Sequence, residues 1–266
     1  MTARVLHVSD LHIGRRDAQE PVAALQQLVS QVQPDLLLAT GDLAHRGRRV
    51  ELERARTILE GFGIPYLAVP GNHDIPYTVP ARFTRPFAEW KRVFGPPEPV
   101  HESGGLVVVG LNSVRPWRQQ GGAVEEGALH RATARIRNAP ASALRVIALH
   151  HHLAAPPWRA ARKRPLKRRR SVLAALADAG AELVVGGHVH QASITEVREF
   201  QAAVERRAGS LVLTTAPGLG RPRPHRSGEA QGLNVYESDD RWLTAVTFVW
   251  DGGAFSEVGR RVFPRR

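Results

Sequence analysis

The sequence predicts an α/β fold with a mainly β C-terminal part, within one domain that covers residues 1–266. Up to residue 190, short apolar runs alternate with segments whose apolar side chains recur at helical spacing, an alternation typical of α/β proteins. From residue 191 to 258, apolar runs follow one another without long helical segments, which favours antiparallel strands. The composition agrees, because 42% hydrophobic residues with 24 glycines and 19 prolines is typical of a globular, loop-rich chain.

Six aliphatic runs in the first part predict buried strands. They are continuous rather than alternating, as expected of strands that are covered on both faces. The runs lie at 4–9, 35–40, 65–70, 106–112, 144–150 and 181–187. Each is bounded by polar residues, glycine or proline, so we expect short strands joined by helices and loops.

Three segments between these runs predict helices. The first covers 21–32, beginning at Pro21, and proline is favoured in the first helical turn. The second covers 52–62 and the third covers 172–179, and in all three the apolar side chains fall on one face. A glycine directly follows the second and third segments, where it would end the helix.

Four runs after residue 190 predict a second, mainly antiparallel sheet that packs beside the first. They lie at 192–197, 210–216, 232–238 and 243–250. Three stretches are the least regular of the chain, and they lie at 76–100, 115–127 and 217–232.

Composition also narrows the setting and the partners. The chain has no cysteine, which excludes disulfides and thiolate metal ligands, and it shows neither a transmembrane run nor a signal peptide. We therefore expect a cytoplasmic protein. The net charge of +12 favours anionic partners, such as a phosphate-bearing substrate or a nucleic acid, although an arginine-rich surface facing solvent would give the same charge.

Polar side chains follow five of the predicted strands. The clusters are Asp10 and His12, Asp42, Asn72 to Asp74, His150 to His152, and His188 with His190. Each cluster alone could merely end a strand or cap a helix. Because ligands of open α/β sheets bind beyond the carboxyl ends of strands, five clusters in the same relative position predict one shared site.

The donor atoms of these clusters indicate a metal centre. They comprise carboxylates, one amide and several imidazoles, and no thiolate. Such a set suits two divalent cations such as Mn²⁺, Fe²⁺ or Zn²⁺. It fits poorly to Ca²⁺ or to a structural zinc site.

In chain order, the motifs D-x-H, GD, GNHD, a strand-terminal histidine and GHxH resemble those of the calcineurin-like metallophosphoesterase superfamily. They cover residues 10–190, and "GNHD" and "GHVH" are the most specific. Within the superfamily the chain is most similar to small bacterial phosphodiesterases of the cyclic-nucleotide class. The resemblance implies a four-layer α/β/β/α sandwich of two packed mixed sheets, with a two-metal site at the C-terminal ends of strands.

The resemblance also implies a role for each matched residue. One metal would be held by Asp10, His12, Asp42 and His190. Asp42 would bridge to the second metal, whose other ligands would be Asn72, His150 and His188.

His73 matches the family's histidine outside the metal shell, which contacts the substrate phosphate or protonates the leaving oxygen. Asp74 would orient its imidazole by accepting the other N–H. The run "HHHLAAP" departs from the family pattern, in which a proline follows two histidines within two residues. We choose His150 as the ligand because it ends the apolar run. His151 and His152 stay candidates for substrate contact or packing, and Asn72 is a candidate for both metal and substrate.

The resemblance implies hydrolysis of a phosphodiester, including a 3′,5′-cyclic nucleotide, by water activated at two metals. "SDLHIG" also resembles the opening of DNA-repair nucleases, which usually carry a further capping domain for which this chain has little room. A non-catalytic metal-binding scaffold is a third reading, but such a protein would be expected to lack a ligand or the His73 position, and none is missing.

One basic segment, residues 158–171, belongs to none of these motifs. It holds eight arginines and lysines and no acidic residue. It is either a solvent-exposed approach to the third predicted helix or a contact for a polyanion such as DNA. Cations at a helix N-terminus oppose the helix dipole, a local cost that an anionic partner would offset.

Overall fold

The computed structural model describes residues 2–14, 19–118, 120–154, 163–197, 211–222 and 228–265. The strands are β1 (Ala3–Val8), β2 (Leu36–Ala39), β3 (Tyr66–Ala68), β4 (Val100–Ser103), β5 (Leu106–Gly110), β6 (Leu144–Ala148), β7 (Leu183–Gly186), β8 (Ser193–Glu196), β9 (Val212–Thr215), β10 (Gly232–Ser238), β11 (Trp242–Trp250) and β12 (Phe255–Pro264). The helices are α1 (Gln19–Val32), α2 (Arg49–Glu60), α3 (Ala81–Thr84), α4 (Ala88–Phe94), α5 (Glu126–Arg137) and α6 (Arg169–Asp178).

These strands form two six-stranded mixed sheets. The order in the first sheet is β12-β11-β10-β1-β2-β3, and in the second it is β4-β5-β6-β7-β9-β8. β1, β2 and β3 are parallel, as are β5, β6, β7 and β9. The antiparallel strands lie toward the edges of the sheets. Antiparallel neighbours can be joined by short turns, without a helical crossover.

Three apolar clusters separate four layers. One cluster lies between the sheets and combines side chains such as Val5 and Leu38 of the first sheet with Val108 and Val146 of the second. A second covers the outer face of the first sheet with α1, α2 and α4, and a third covers the outer face of the second sheet with α5 and α6. Strands buried on both faces account for the continuous apolar runs. The α/β/β/α sandwich implied by the family resemblance is confirmed.

The strands after residue 190 differ from the sequence-based expectation of a separate second sheet. β8 and β9 join the second sheet, and β9 lies parallel to β7. β10, β11 and β12 extend the first sheet, where β10 pairs antiparallel with β1. The β region also continues to Pro264, past the expected end at 258. The expectation of a separate sheet was wrong because β1 and β7 each have an unpaired edge, and the later strands β10 and β9 pair with these edges.

Helices also occupy one stretch that the sequence pattern left irregular. The stretch 76–100 contains α3 and α4, and Trp90 of α4 is fully buried with its ring stacked on Phe94 at 4.6 Å. α5 was not predicted. Part of the stretch 217–232, residues 223–227, lies outside the described residues.

The helix ends deviate slightly from the predicted ones. α1 begins two residues before Pro21, and α2 ends at Glu60 with Gly61 as its C-cap. Across the described part of the chain, no helix is both long enough and apolar enough to cross a membrane.

Candidate metal centre

The polar clusters of both sheets meet at one place, beyond the C-terminal ends of five parallel strands. The clusters after β1, β2 and β3 come from the first sheet, and those after β6 and β7 come from the second. Two groups of three side chains each place their donor atoms within 4.8 Å of one another: Asp10, His12 and His190, and Asp42, His150 and His188. The strand topology therefore brings all of these residues together.

The first group centres on the buried carboxylate of Asp10. Its Oδ1 lies 3.1 Å from Nε2 of His190 and 3.8 Å from Nε2 of His12. Its Oδ2 accepts a hydrogen bond from the Ser9 hydroxyl at 2.7 Å and from the backbone N–H of His188 at 2.9 Å. One oxygen of Asp10 is thus fixed by the protein, and the other faces the two imidazoles.

The second group shows which imidazole nitrogens are free to bind a cation. Nδ1 of His150 lies 2.7 Å from the carbonyl oxygen of Thr40, and Nε2 of His188 lies 3.1 Å from the carbonyl oxygen of Gln120. A carbonyl oxygen only accepts, so each of these nitrogens carries the hydrogen. In the neutral rings, the lone pairs are therefore on Nε2 of His150 and Nδ1 of His188.

These two lone pairs face each other. Nε2 of His150 lies 3.2 Å from Nδ1 of His188, 3.3 Å from Oδ1 of Asn72 and 3.4 Å from Oδ2 of Asp42. Four acceptor atoms converging in a buried space repel one another unless a cation lies among them. The donor set therefore fits a divalent cation.

The acceptor atoms around Nε2 of His150 also affect its pKa in the metal-free protein. Burial alone would lower the pKa of His150, but the carboxylate of Asp42 outweighs burial, and the pKa is raised to about 9. The pKa of Asp42 is held below its usual value, since His150 and His73 outweigh the effect of burial. A proton on His150 takes the place that a metal would fill.

Asp42 belongs to the second group and also lies close to the first. Its Oδ2 is 3.4 Å from Nε2 of His150 and 3.9 Å from Nε2 of His12, which belongs to the first group. Its Oδ1 accepts the backbone N–H of His73 at 2.8 Å. A carboxylate in this position can contact cations on both sides.

The backbone at the site is unusual. Among the described residues, seven non-glycine residues have positive φ, and five of them are candidate ligands: Asp10, His12, Asp42, His188 and His190. Non-glycine residues adopt this left-handed region at an energetic cost and mostly where the surroundings enforce it. Glycines allow the loops to touch, because a Cβ at Gly71 would overlap the backbone of Asp42 and one at Gly187 would overlap the Ser9 side chain.

Comparison with known families agrees with this geometry. The sequence model of the calcineurin-like phosphoesterases matches residues 3–192, a stretch that holds all five polar clusters. The chain belongs to the calcineurin-like phosphoesterase family. Members of this family use divalent metals, and the two donor groups are where such metals could bind.

Relatives of this chain include proteins with phosphodiesterase names. A probable cyclic nucleotide phosphodiesterase of Synechococcus is 33% identical over 134 residues, which are 46% of this chain and 48% of the relative. The glycerophosphodiester phosphodiesterase GpdQ of Enterobacter lignolyticus is 32% identical over 78 residues, covering 26% of this chain and 28% of the relative. The match to the Synechococcus protein thus spans about half of its length.

Solved structures share the fold at low sequence identity. Purple acid phosphatase PPD1 from yellow lupin superimposes with a TM-score of 0.75 at 11% identity, covering 100% of this chain and 54% of the phosphatase. PhoD superimposes with a TM-score of 0.71 at 11% identity, covering 99% of this chain and 70% of PhoD.

The structure changes the role predicted for Asp74. Its carboxylate accepts the backbone N–H groups of Ala44 and Gly71, both at 2.7 Å. The imidazole of His73 instead has Nδ1 2.9 Å from the carbonyl oxygen of His45. The prediction that Asp74 orients this ring is therefore wrong, and Asp74 ties the loop after β3 to the loop after β2.

His151 is fully buried beside the candidate ligand His188. Its Nδ1 lies 2.9 Å from the Ser113 hydroxyl, and its ring packs 4.7 Å from that of His188. His152 is also buried, with its ring 5.8 Å from that of His188. These positions fit the packing alternative and do not support the substrate contact predicted for His151.

Sequence reasoning missed two side chains beside His73. His45 forms a third candidate donor group with His12 and His73. The Tyr77 hydroxyl lies 2.7 Å from Nδ1 and 3.2 Å from Nε2 of His73. Their positions in the sequence could have indicated a role at the site. His45 lies three residues after Asp42, and Tyr77 lies four residues after His73, in loops already assigned to the site.

Proposed function

We propose that this chain is a dinuclear-metal phosphodiesterase. The observation that carries the proposal is the convergence of acceptor atoms in two neighbouring groups that meet at Asp42. Asp10, His12, Asp42 and His190 would hold one divalent cation. Asp42, Asn72, His150 and His188 would hold the other.

Two cations held side by side lower the pKa of an attacking water and stabilise the charge on the phosphate oxygens. The protein's own contribution is to fix the ligands. Thr40 and Gln120 hold the rings of His150 and His188 in one tautomer through their carbonyl oxygens. These two side chains would therefore lose little conformational entropy when a cation binds.

His73 is the proposed proton donor. The carbonyl oxygen of His45 accepts a hydrogen from Nδ1, so Nε2 is the nitrogen that exchanges a proton with the leaving oxygen. Nε2 lies 4.0 Å from Oδ2 of Asp42, which places it at the edge of the candidate centre. His73 would protonate the departing alcohol as the P–O bond breaks.

We propose a diester as the substrate, with 3′,5′-cyclic nucleotides included, and Mn²⁺, Fe²⁺ or Zn²⁺ as the metals. The names of the relatives from Synechococcus and Enterobacter lignolyticus support a diester. The imidazole-rich donor set supports these metals over Mg²⁺ and Ca²⁺.

The test is hydrolysis of bis(p-nitrophenyl) phosphate by protein dialysed against EDTA. We expect no activity without metal, and recovery that is greater with Mn²⁺ than with Mg²⁺ or Ca²⁺. The monoester p-nitrophenyl phosphate should be the poorer substrate. Full activity in excess EDTA would contradict the two-metal proposal.

A DNA nuclease is the second candidate, and the position of the basic segment favours it. Residues 158–162 of that segment lie outside the described residues, and α6 begins within it at Arg169. Lys167 donates its backbone N–H to the carbonyl of Gly122, two residues after the Gln120 carbonyl that contacts His188. The segment is therefore packed on the loop that holds a candidate ligand.

A further inference from the structure

A cavity of about 290 Å³ lies between the loop after β2 and the loop after β3. The side chains around it include those of His45, Arg46, Arg48, Pro76, Tyr77 and Thr78. Gly47 has a φ of +62°, and a Cβ there would collide with the backbone of Ile75. The two loops are thus in backbone contact, which fixes both walls of the cavity.

The cavity adjoins the proposed proton donor. Both His45 and Tyr77 contact the His73 ring, the first through its carbonyl oxygen at 2.9 Å and the second through its hydroxyl at 2.7 Å. If His73 protonates the leaving oxygen, the alcohol attached to that oxygen lies beside this ring. His45 and Tyr77, which contact the ring, are also two of the residues that line the cavity.

The wall formed by the loop after β2 is positively charged. Arg46 and Arg48 are both exposed, and within the described residues neither forms an ion pair with a carboxylate. The carboxylate of the nearby Glu51 accepts the backbone N–H groups of Arg46 and Arg48 on its Oε2, at 2.7 and 3.3 Å. Both guanidinium groups are therefore available to an anion.

Tyr77 provides the opposite wall. Its side chain remains 44% exposed although its hydroxyl contacts His73. Burial of the hydroxyl, together with the charge of Asp42, raises the pKa of Tyr77 to about 12, so the hydroxyl stays a neutral donor. A ring face and two free arginines suit an alcohol that carries an anionic group.

We infer that this cavity binds the leaving alcohol of the diester and selects alcohols that carry a second phosphate, with Arg46 and Arg48 as the residues that determine this specificity. The inference rests on the proposed function and deepens it. It assigns the substrate class as a diester of a phosphorylated alcohol, such as a nucleotide within a short oligonucleotide.

The experiment compares three dinucleotides that differ by one terminal phosphate. ApA has none, pApA carries it on the nucleoside that would leave through its 3′ oxygen, and ApAp carries it on the nucleoside that would leave through its 5′ oxygen. With Mn²⁺, we expect one phosphorylated form to exceed ApA in kcat/KM by roughly tenfold, the effect of one charge-assisted contact. In the double variant Arg46→Gln/Arg48→Gln the ratio should fall to about one.

Arg135→Gln is the matched control. Arg135 is an exposed arginine on α5 that pairs with Glu102, and its replacement by glutamine removes one positive charge outside the cavity. The control should keep the wild-type ratio. A ratio of one in the wild-type protein, or a ratio that the double variant leaves unchanged, would overturn the inference while the proposed function stands.

A binding measurement separates the two proposals. Adenosine 3′,5′-bisphosphate is titrated into metal-free protein in EDTA by calorimetry, and the double variant should bind it about tenfold more weakly than the wild type and Arg135→Gln. If no diester is hydrolysed by the wild type, the proposed function fails, and this titration alone then decides whether the cavity takes a phosphate. Equal affinity in all three proteins would overturn the inference.

Discussion

Replacing Asp42 with asparagine should remove most of the stabilisation that divalent metals would give to the protein. Asp42 is buried, and its Oδ2 lies 3.4 Å from Nε2 of His150 in its own donor group and 3.9 Å from Nε2 of His12 in the other group. An asparagine has almost the same shape but supplies one neutral oxygen instead of a charged pair. Both proposed cations would lose their shared ligand at once.

The magnitude follows from mass action. A cation present at 100 times its dissociation constant stabilises the folded state by about 2.7 kcal/mol, so two cations give roughly 5 kcal/mol. For a chain of this size, each kcal/mol raises Tm by roughly 2–4 °C. We therefore expect saturating Mn²⁺ to raise the Tm of the wild-type protein by roughly 10–20 °C, and to raise that of Asp42→Asn by only a few degrees.

The assay is thermal unfolding of EDTA-dialysed protein with and without Mn²⁺, followed by circular dichroism. Asp178→Asn is the matched control, because Asp178 is an exposed carboxylate at the end of α6. The control should show the full rise in Tm. An equal rise in Asp42→Asn and the wild type would refute the placement of Asp42 between two cations.

Three further predictions concern the proton donor, acid stability and the basic segment. His73→Ala should keep both metals by elemental analysis but slow turnover by about 10²–10⁴-fold; loss of a metal ion would make His73 a ligand instead. Burial lowers the pKa of His7 and His12 to about 3 and that of His152 to about 4, so the unfolded chain binds these three protons first as the pH falls. They outnumber the one proton at Asp74, whose pKa is raised to about 8 by burial and which acts in the opposite direction. Urea titration in EDTA should therefore show the metal-free protein losing stability as pH falls from 6.5 towards 4, and constant or rising stability would contradict this. If the substrate is DNA, changing residues 168–170 to glutamine should weaken DNA binding. It should also reduce the slope of log affinity against log salt concentration by about 0.9 per lost duplex-phosphate contact. Unchanged DNA affinity would mean that this segment does not contact DNA.

The fold could be predicted wherever one property of a segment decides its structure. Continuous aliphatic runs mark strands buried on both faces, and β1, β2, β3, β5, β6 and β7 all lie within their predicted runs or one residue outside. Pairing could not be predicted, because the apolar pattern of β9 does not state whether its neighbour is β7 or β10. α5 escaped detection because its fully buried residues are mostly small, Ala128, Ala132 and Thr133, with only Ile136 fully buried and Leu129 partly buried as large aliphatic residues.

The candidate site could be predicted from the order of its motifs, but its supporting contacts could not. The rings of His150 and His188 are oriented by the carbonyl oxygens of Thr40 and Gln120. Every residue has a backbone carbonyl, so no side-chain pattern marks the two that matter. Asp74 was assigned the wrong partner for a related reason. Its carboxylate oxygens can accept a hydrogen bond from an imidazole N–H or from a backbone N–H, and the sequence does not show which of these donors lies within reach.

The left-handed backbone at the ligands connects the fold to the proposed chemistry. Each non-glycine residue with positive φ costs on the order of 1–3 kcal/mol, and five such residues are candidate ligands. Backbone hydrogen bonds between neighbouring loops hold two of them, from Asp10 N–H to the Gly41 carbonyl and from His12 N–H to the Asp42 carbonyl, both at 2.9 Å. Strands that ended in relaxed turns would point these side chains away from one another. The unfavourable backbone therefore aims acceptor atoms at a common space, where a bound cation would relieve their mutual repulsion while the loops stay in place.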